Sequence, residues 1–113
     1  MASTGPKMTL PTQMVLRALI DKPDREMYGL EIGQAAGLAS GTVHPILARL
    51  EQFGWLESRW ENLDPHREGR PRRRYYRLTP GGAQRAQAAL ARVRTPAPLA
   101  ARLNPGLAAG GAL

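Results

Sequence analysis

Apolar residues recur at helical spacing near the start of the chain and predict two helices. Residues 9–21 carry one apolar stripe, and Pro11 suits the first turn, where a missing N–H loses no hydrogen bond. Residues 28–37 predict a short second helix that ends at Gly37, because glycine enters the left-handed region at little cost. The positions expected to face inward are Val15, Leu16, Leu19 and Ile20, then Leu30 or Ile32, Ala35 and Ala36.

A third helix is predicted over residues 40–53, where the amphipathic pattern is most regular. Its apolar positions recur three and four residues apart; we expect Ser40 to cap the helix and Gly54 to end it. Pro45 lies early in this helix and removes one backbone hydrogen bond. The apolar positions are Val43, Ile46, Leu47, Leu50 and Phe53.

Residues 55–61 and 72–78 alternate in the manner of β-strands, and the polar loop between them contains two prolines and a glycine. We therefore predict a β-hairpin over residues 55–78 with a long basic tip, which we call the wing. A last helix is predicted over residues 79–94, where Thr79 and the proline after it form the pattern of a cap and first helical position.

The two ends of the chain lack a periodic apolar pattern. Residues 1–8 predict a flexible arm, and the Pro-, Gly- and Ala-rich residues 95–113 predict a tail that is disordered or orders only on a partner. The expected organisation is therefore an arm, a folded domain over residues 9–78, a C-terminal helix over residues 79–94, and a tail.

The charge of the chain adds a first functional indication. Its 113 residues include 16 Lys+Arg against 9 Asp+Glu, a net charge of +7, and no cysteine. Such a balance is typical of proteins that meet a polyanion or an anionic surface, although GC-rich coding also inflates arginine. The lack of cysteine excludes disulfides and cysteine catalysis and fits a reducing cytoplasm, where we expect the protein to act. No apolar run is long enough for a bilayer, so no membrane association is expected.

The order of helix, helix, tight turn, helix, basic hairpin and helix predicts a winged helix-turn-helix. This fold class is mainly α with a small β-hairpin, in the order α-α-α-β-β-α. It lays the first half of its third helix, here called the recognition helix, in the major groove of double-stranded DNA. A plain amphipathic core helix with a solvated polar face would show the same pattern. The DNA-binding candidates on the outward face are Ser40, Gly41, Thr42, His44, Pro45 and Arg49.

The wing favours the DNA interpretation, because residues 67–74 contain five arginines and one glutamate. Guanidinium groups match phosphate oxygens and fit a narrow minor groove. A solvated charge run that only discourages pairing at a strand edge is the alternative. An amphipathic third helix followed directly by an arginine-tipped hairpin is, however, much less common than either piece. The wing candidates for DNA contact are Arg67, Arg70, Arg72, Arg73 and Arg74.

Residues 28–90 resemble the PadR-like transcriptional regulators. The resemblance rests on YGLEI at 28–32, GTVHPILARLEQFGWLE at 41–57 and GRPRRRYYRLTPGG at 69–82. It implies a winged-helix homodimer that represses transcription, often relieved by a small-molecule inducer. It also implies that the wing arginines lie on the DNA backbone, for which Tyr28 is a further candidate. The residues that it places at or near DNA are Tyr28, Thr42, His44, Pro45 and Arg49.

Two departures limit what the resemblance implies. His44 stands where the family commonly has tyrosine, so the base preference cannot be carried over. The part after the wing is one Ala-rich helix and a tail, which resembles only the shorter members and argues against a dedicated ligand-binding domain.

A single helix-turn-helix reads only a few base pairs, so such units usually pair to read two half-sites about one helical turn apart. We expect the helix at 79–94 to supply the homodimer interface through a stripe that includes Ala86, Leu90 and Val93. The alternative is that this stripe packs inward on the first helix of its own chain.

We expect no enzyme activity, cofactor or metal. Ser40 and His44 have the spacing of a nucleophile and a base, but no acid partner or oxyanion motif accompanies them. Asp64 and His66 are too few to form a metal site.

Two other functions fit the same sequence. One is a winged-helix module whose basic wing docks an acidic protein, and a steep salt dependence of DNA affinity would separate it from a DNA-binding protein. The other is a small-molecule sensor with a pocket beneath Trp55 and Trp60, although packing of the wing on the third helix also explains these tryptophans.

Overall fold

A computed structural model describes residues 5–93 of the protein, so the predicted tail at 95–113 and the first part of the predicted arm lie outside the described residues. Its elements are α1 (Leu10–Asp21), β1 (Met27–Tyr28), α2 (Gly29–Ala36), α3 (Ser40–Gln52), β2 (Leu56–Trp60), α4 (Pro65–Glu68), β3 (Arg74–Leu78) and α5 (Pro80–Arg92). The strands form one antiparallel sheet in the order β1-β3-β2.

The Thr79 cap and the Gly37 helix end are confirmed, whereas the Thr9 cap of α1 was not predicted. Thr9 and Thr79 cap α1 and α5, because their hydroxyls accept the backbone N–H three residues ahead at 3.3 and 2.8 Å. Pro11 and Pro80 lie in the first turns of these helices. Gly37 ends α2 with a left-handed φ of 72°.

The prediction that Ser40 caps α3 is wrong. Ala39 is the N-cap and Ser40 is the first helical residue. The turn before α3 is held by backbone instead, since the Leu38 N–H donates to the Gly33 carbonyl at 2.8 Å. A Cβ on Gly33 would lie 2.8 Å from the Leu38 carbonyl oxygen. The close contact between the backbones of Gly33 and Leu38 therefore fixes the turn after which α3 begins.

The observed order contains two short elements that the predicted order α-α-α-β-β-α lacks. One is β1, whose two residues pair with β3 through Met27 and Tyr28. The other is α4, a single turn within the connection between β2 and β3, residues 61–73, which we call the wing loop. The Asp64 carboxylate starts that turn by accepting the His66 N–H at 3.0 Å. Neither element is long enough to show a periodicity of its own in the sequence.

The two strands of the wing are shorter than predicted and are buried only at one end. Leu56 lies opposite Leu78, and both side chains are buried in the core. Trp55 stands before β2 rather than in it, and its carbonyl accepts the Thr79 N–H at 3.0 Å. At the far end Trp60 is 58% exposed. The wing therefore projects from the core.

The core is built from the predicted stripes of α1, α2 and α3. The prediction is wrong for Leu30 and Phe53, at 57% and 39% exposure, and for Ala35, which is also exposed, whereas Ile20 is partly buried. In α2 it is Ile32 rather than Leu30 that faces inward. The buried stripe residues are Val15, Leu16, Leu19, Ile32, Ala36, Val43, Ile46, Leu47 and Leu50.

The α5 stripe differs from the expected dimer interface. Ala86 is 0% exposed and Leu90 is 9% exposed, both within the core of the same chain, where α5 packs on α1. Val93 remains 37% exposed. Two of the three predicted interface residues therefore pack inward, as in the alternative interpretation.

The described end of the predicted arm is attached to the domain. Met8 packs against the core, and its carbonyl accepts a hydrogen bond from Gln13 Nε2 at 2.8 Å. A Cβ on Gly5 would lie 3.2 Å from the Trp55 ring. Residues 5–8 therefore follow the surface beside α5 and do not form a free arm.

Candidate nucleic-acid interface

The recognition helix α3 has one buried and one exposed face. All six predicted DNA-binding residues on it are exposed: Ser40, Gly41, Thr42, His44, Pro45 and Arg49. The exposed face joins small residues, which allow close approach, with a hydroxyl, an imidazole and a guanidinium that can meet base edges or phosphates. The structure thus brings the predicted residues together on one surface.

The wing is tied to the recognition helix by a polar cluster at Glu51. The Ser58 hydroxyl on β2 donates to the Glu51 carboxylate at 2.5 Å. Arg74 on β3 donates to Ser58 Oγ at 3.0 Å and reaches Glu51 at 3.5 Å. The Arg74 guanidinium therefore points back at the protein and orients the wing relative to α3.

The wing loop is organised around the Glu61 carboxylate. Arg70 donates to it through both terminal nitrogens, at 2.7 and 3.0 Å, the Arg73 N–H donates at 3.2 Å and the Tyr75 hydroxyl lies at 3.4 Å. Arg70, and after it the Arg73 N–H, hold the pKa of the Glu61 carboxyl at about 2, below its ordinary 4.5. Arg70 also donates to the Pro71 carbonyl at 3.2 Å. Both partners of the Arg70 guanidinium lie within the wing loop, so Arg70 holds the two ends of this loop together.

A stacked cluster joins the wing to the start of α2. The guanidinium of Arg73 lies 4.3 Å from the ring centre of Tyr28, and the Tyr28 and Tyr75 rings meet edge to face at 5.7 Å. Arg59 lies over Tyr75 at 5.2 Å and forms two 2.7 Å hydrogen bonds with Glu26. The wing loop, β1 and the first turn of α2 therefore form one continuous surface next to α3.

The arginines divide into paired and unpaired groups. Among residues 5–93 five are paired with a glutamate: Arg25–Glu31, Arg59–Glu26, Arg70–Glu61, Arg74–Glu51 and Arg77–Glu57. Four others on α3 and the wing loop have no ion-pair partner in that range: Arg49, Arg67, Arg72 and Arg73. Arg72 donates to the Leu63 carbonyl through Nε, at 2.9 Å, and leaves its terminal nitrogens uncommitted.

This division refines the predicted set of wing residues. Arg67, Arg72 and Arg73 have uncompensated charge, whereas Arg70 and Arg74 are held by carboxylates of the same chain. Sequence reasoning missed Glu61 and Glu51 as organising residues. Nothing in the local sequence separates Glu61 from the acidic residues around it, Glu57, Asp64 and Glu68, and nothing marks the position of Glu51 beneath β3.

The two tryptophans do not share a pocket. Trp55 is 5% exposed and borders a cavity of about 470 Å³ next to Gly5 and α5. Trp60 borders a separate, open cavity of about 690 Å³ with Pro65 and Pro71. The predicted sensor pocket beneath both rings is therefore not formed by the described residues.

Residues 5–93 show neither a metal-binding cluster nor a membrane-spanning helix. They contain no group of three or more His, Cys, Asp or Glu placed to hold a metal ion. Within the same range no helix combines the length and the apolar character needed to cross a membrane.

A hairpin wing beside an exposed second helix of a helix-turn-helix defines a winged helix-turn-helix regulator. Residues 15–88 match the model of the transcriptional regulator PadR-like family. The chain belongs to this family, whose members are transcriptional regulators rather than enzymes. No curated protein matches the chain.

Solved structures with the same fold include two described as PadR family regulators. One, from hypervirulent Clostridium difficile R20291, is 23% identical, with a TM-score of 0.59 over 76% of this chain and 88% of its own. Another, from Eggerthella lenta DSM 2243, is 26% identical, with a TM-score of 0.57 over 71% of this chain and 70% of its own. An S. aureus MepR–DNA complex is 19% identical, with a TM-score of 0.57 over 74% of this chain and 62% of its own. The chain spans about half the length of several other solved proteins that it matches.

Proposed function

We propose that the protein is a sequence-specific double-stranded DNA-binding repressor that acts as a homodimer. The observation that carries this proposal is the division of the arginines. Among residues 5–93, carboxylates neutralise five of the twelve arginines, and of the seven without an ion-pair partner four lie on the recognition helix and the wing loop. A folded surface that keeps uncompensated guanidinium groups beside an exposed polar helix is suited to phosphates and base edges together.

The two parts of this surface have different roles in the proposal. Arg67, Arg72 and Arg73 contact phosphates and supply affinity for any duplex, because phosphate contacts carry no sequence information. Thr42 and His44 contact base edges in the major groove and supply the preference for one site. A neighbour with the same fold, MepR, is described as a DNA complex, which supports this use of the fold.

Two copies are proposed to bind one operator. The exposed part of α3 spans only a few base pairs, and a two-fold pair of recognition helices reads two half-sites about one helical turn apart. A bound dimer would exclude other proteins from the duplex that it covers, and this exclusion is the proposed route to repression.

The test is the salt dependence of duplex affinity. Each phosphate contact adds roughly 0.9 to the slope of log affinity against log salt. Replacing Arg72 and Arg73 with alanine should weaken all duplexes alike and flatten the slope by about one to two units. The matched control is Arg85→Ala with Arg92→Ala, which removes the same charge from exposed positions on α5.

The control pair should change the slope by less than half as much as the wing pair, and an equal effect of both pairs would mean that net charge alone matters. A slope that the wing pair leaves unchanged would contradict the DNA interface. Weak, sequence-independent duplex binding together with tight binding to an acidic polypeptide would support the alternative function, a protein-interaction module.

A further inference from the structure

The imidazole of His44 lies against the backbone of α2 at Gly29, which has no Cβ. An ideal Cβ on Gly29 would stand 2.8 Å from His44 Cε1, 3.5 Å from Nε2 and 3.6 Å from Nδ1. The three nearest atoms to that Cβ thus all belong to one ring. Gly29 is buried and His44 is exposed, so the ring covers Gly29 from the solvent side.

The His44 ring is positioned by packing against Gly29 and not by hydrogen bonds within residues 5–93. Within residues 5–93 neither ring nitrogen of His44 has a hydrogen-bond partner, and the edge that faces Gly29 is the C–H between the two nitrogens. Both nitrogens are therefore available to an outside group, and the backbone beneath the ring limits the directions in which they point. A free histidine on a helix would sample several rotamers.

We propose that Gly29 is a specificity-determining residue. Because Gly29 has no side chain, the His44 imidazole packs directly on its Cα, and this packing fixes the orientation in which the ring contacts one base pair. The inference rests on the proposed function and deepens it. Gly29 acts through His44 and is therefore a positioning residue. The preceding residue, Tyr28, contacts the wing loop, because the guanidinium of Arg73 stacks on its ring at 4.3 Å. Residues 28 and 29 therefore contact both the wing loop and the His44 ring.

The first variant is Gly29→Ala. Gly29 is the first residue of α2 and has no left-handed φ, so alanine fits the backbone there. The new methyl group meets the far end of a side chain, which can move, so the fold is retained and the ring is displaced. Gly81→Ala is the matched control, since it lies in the first turn of α5 with no atom within 4 Å of the new Cβ.

The expected result is a loss of preference with little loss of general affinity. On a duplex selected from a random pool, Gly29→Ala should bind roughly tenfold more weakly, close to the effect of His44→Ala, while binding to random DNA changes less than twofold. In the His44→Ala background, Gly29→Ala should have no further effect. Gly81→Ala should match the unchanged protein on both duplexes.

A measurement without DNA tests the packing of the His44 ring on Gly29 directly. In the free protein, NMR should show a nuclear Overhauser effect between His44 Hε1 and the Gly29 Hα protons, and Gly29→Ala should shift the His44 ring signals while Gly81→Ala leaves them in place. If Gly29→Ala lowers the melting temperature, the double variant with His44→Ala should recover that of His44→Ala alone.

Several outcomes would overturn the inference. They are an absent Overhauser effect, effects of Gly29→Ala and His44→Ala that add, or an equal loss on selected and random DNA. Failure of the proposed function is distinguishable, because then the unchanged protein shows no preference among duplexes and the inference falls with it. If the unchanged protein has a preference that Gly29→Ala retains, only the inference is wrong.

Discussion

At the scale of single residues, carboxylates decide what neighbouring arginines do. Arg72, Arg73 and Arg74 are consecutive, yet Arg72 keeps its terminal nitrogens uncommitted, Arg73 stacks on Tyr28 and Arg74 turns inward to Glu51. Exposed ion pairs contribute little free energy, so their main effect here is to fix geometry and remove charge from the surface. The chemistry of the interface therefore depends on pairings that residue type alone does not specify.

Glu61 gives a prediction about pH at this scale. Its pKa in the folded protein is about 2, below the ordinary 4.5, so the carboxylate stabilises the wing loop above pH 4.5 and that contribution is lost as the pH falls from 4.5 through 2. The backbone amide of Arg73, which donates to Glu61, should therefore shift with a midpoint near pH 2 in an NMR titration.

Glu61→Gln should abolish this transition, since the amide side chain does not titrate, and should loosen the wing loop at neutral pH. A midpoint near the ordinary 4.5 in the unchanged protein would contradict the Arg70–Glu61 pair.

At the scale of elements, backbone contact sets how α5 joins the wing. The Thr79 hydroxyl caps α5 and also donates to the Gly54 carbonyl at 2.9 Å, while its N–H donates to the Trp55 carbonyl at 3.0 Å. Gly82, in the first turn of α5, is buried on the backbone of Trp55. The adjacent glycines 81 and 82 thus have different structural requirements.

Substitution of these glycines should separate the two requirements. In Gly82→Ala the new Cβ would overlap the Trp55 carbonyl oxygen and lie 2.6 Å from the carbonyl carbon, and backbone atoms cannot swing aside. We expect a loss of about 3 kcal/mol in the free energy of unfolding, measured by urea denaturation. Gly81→Ala should be neutral or stabilising by up to about 1 kcal/mol, because alanine favours the helix and meets no neighbour within 4 Å. Equal melting curves for the two variants would contradict the packing of α5.

At the scale of the whole molecule, the buried residues of α5 complete the core of their own chain. Ala86, Ala89 and Leu90 are buried against the domain, so the domain at residues 9–78 shares its core with the helix that follows. The surface that joins two copies in the proposed dimer therefore lies outside Ala86 and Leu90, and the exposed positions on α1 and α5, such as Leu10 and Val93, are candidates.

Leu90→Glu distinguishes a core position from an interface position. An unpaired carboxylate at a site 9% exposed should destabilise the fold by about 3–5 kcal/mol, so circular dichroism should show a much lower melting temperature at every protein concentration. Gln87→Glu, at an exposed position of α5, should keep the melting temperature of the unchanged protein and serves as the control.

Light scattering should show the unchanged protein as a dimer. If the Leu90→Glu protein is instead a folded monomer with an unaltered melting temperature, the stripe of α5 that contains Leu90 forms the dimer interface and the prediction is wrong.

Much of the fold could be predicted from the sequence because its information is local. Apolar spacing identified the main helices, alternation identified the wing, and Thr79 and Gly37 marked helix ends, since each signal depends on residues a few positions apart. The outward residues of the recognition helix followed from the same periodicity, because a buried face implies an exposed one. The family motifs added Tyr28 to these candidates.

The tertiary structure decided what depends on distant partners. Periodicity shows that a face is buried but not what covers it, so the α5 stripe was assignable to a dimer or to α1 until packing placed it on the core. β1 exists because β3 supplies its hydrogen bonds, and Arg59 is paired with Glu26 across 33 residues. The sequence by itself determined that an arginine-rich wing follows a recognition helix. Which arginines carry uncompensated charge, and what lies beneath His44, was set only when folding brought together residues far apart in the chain.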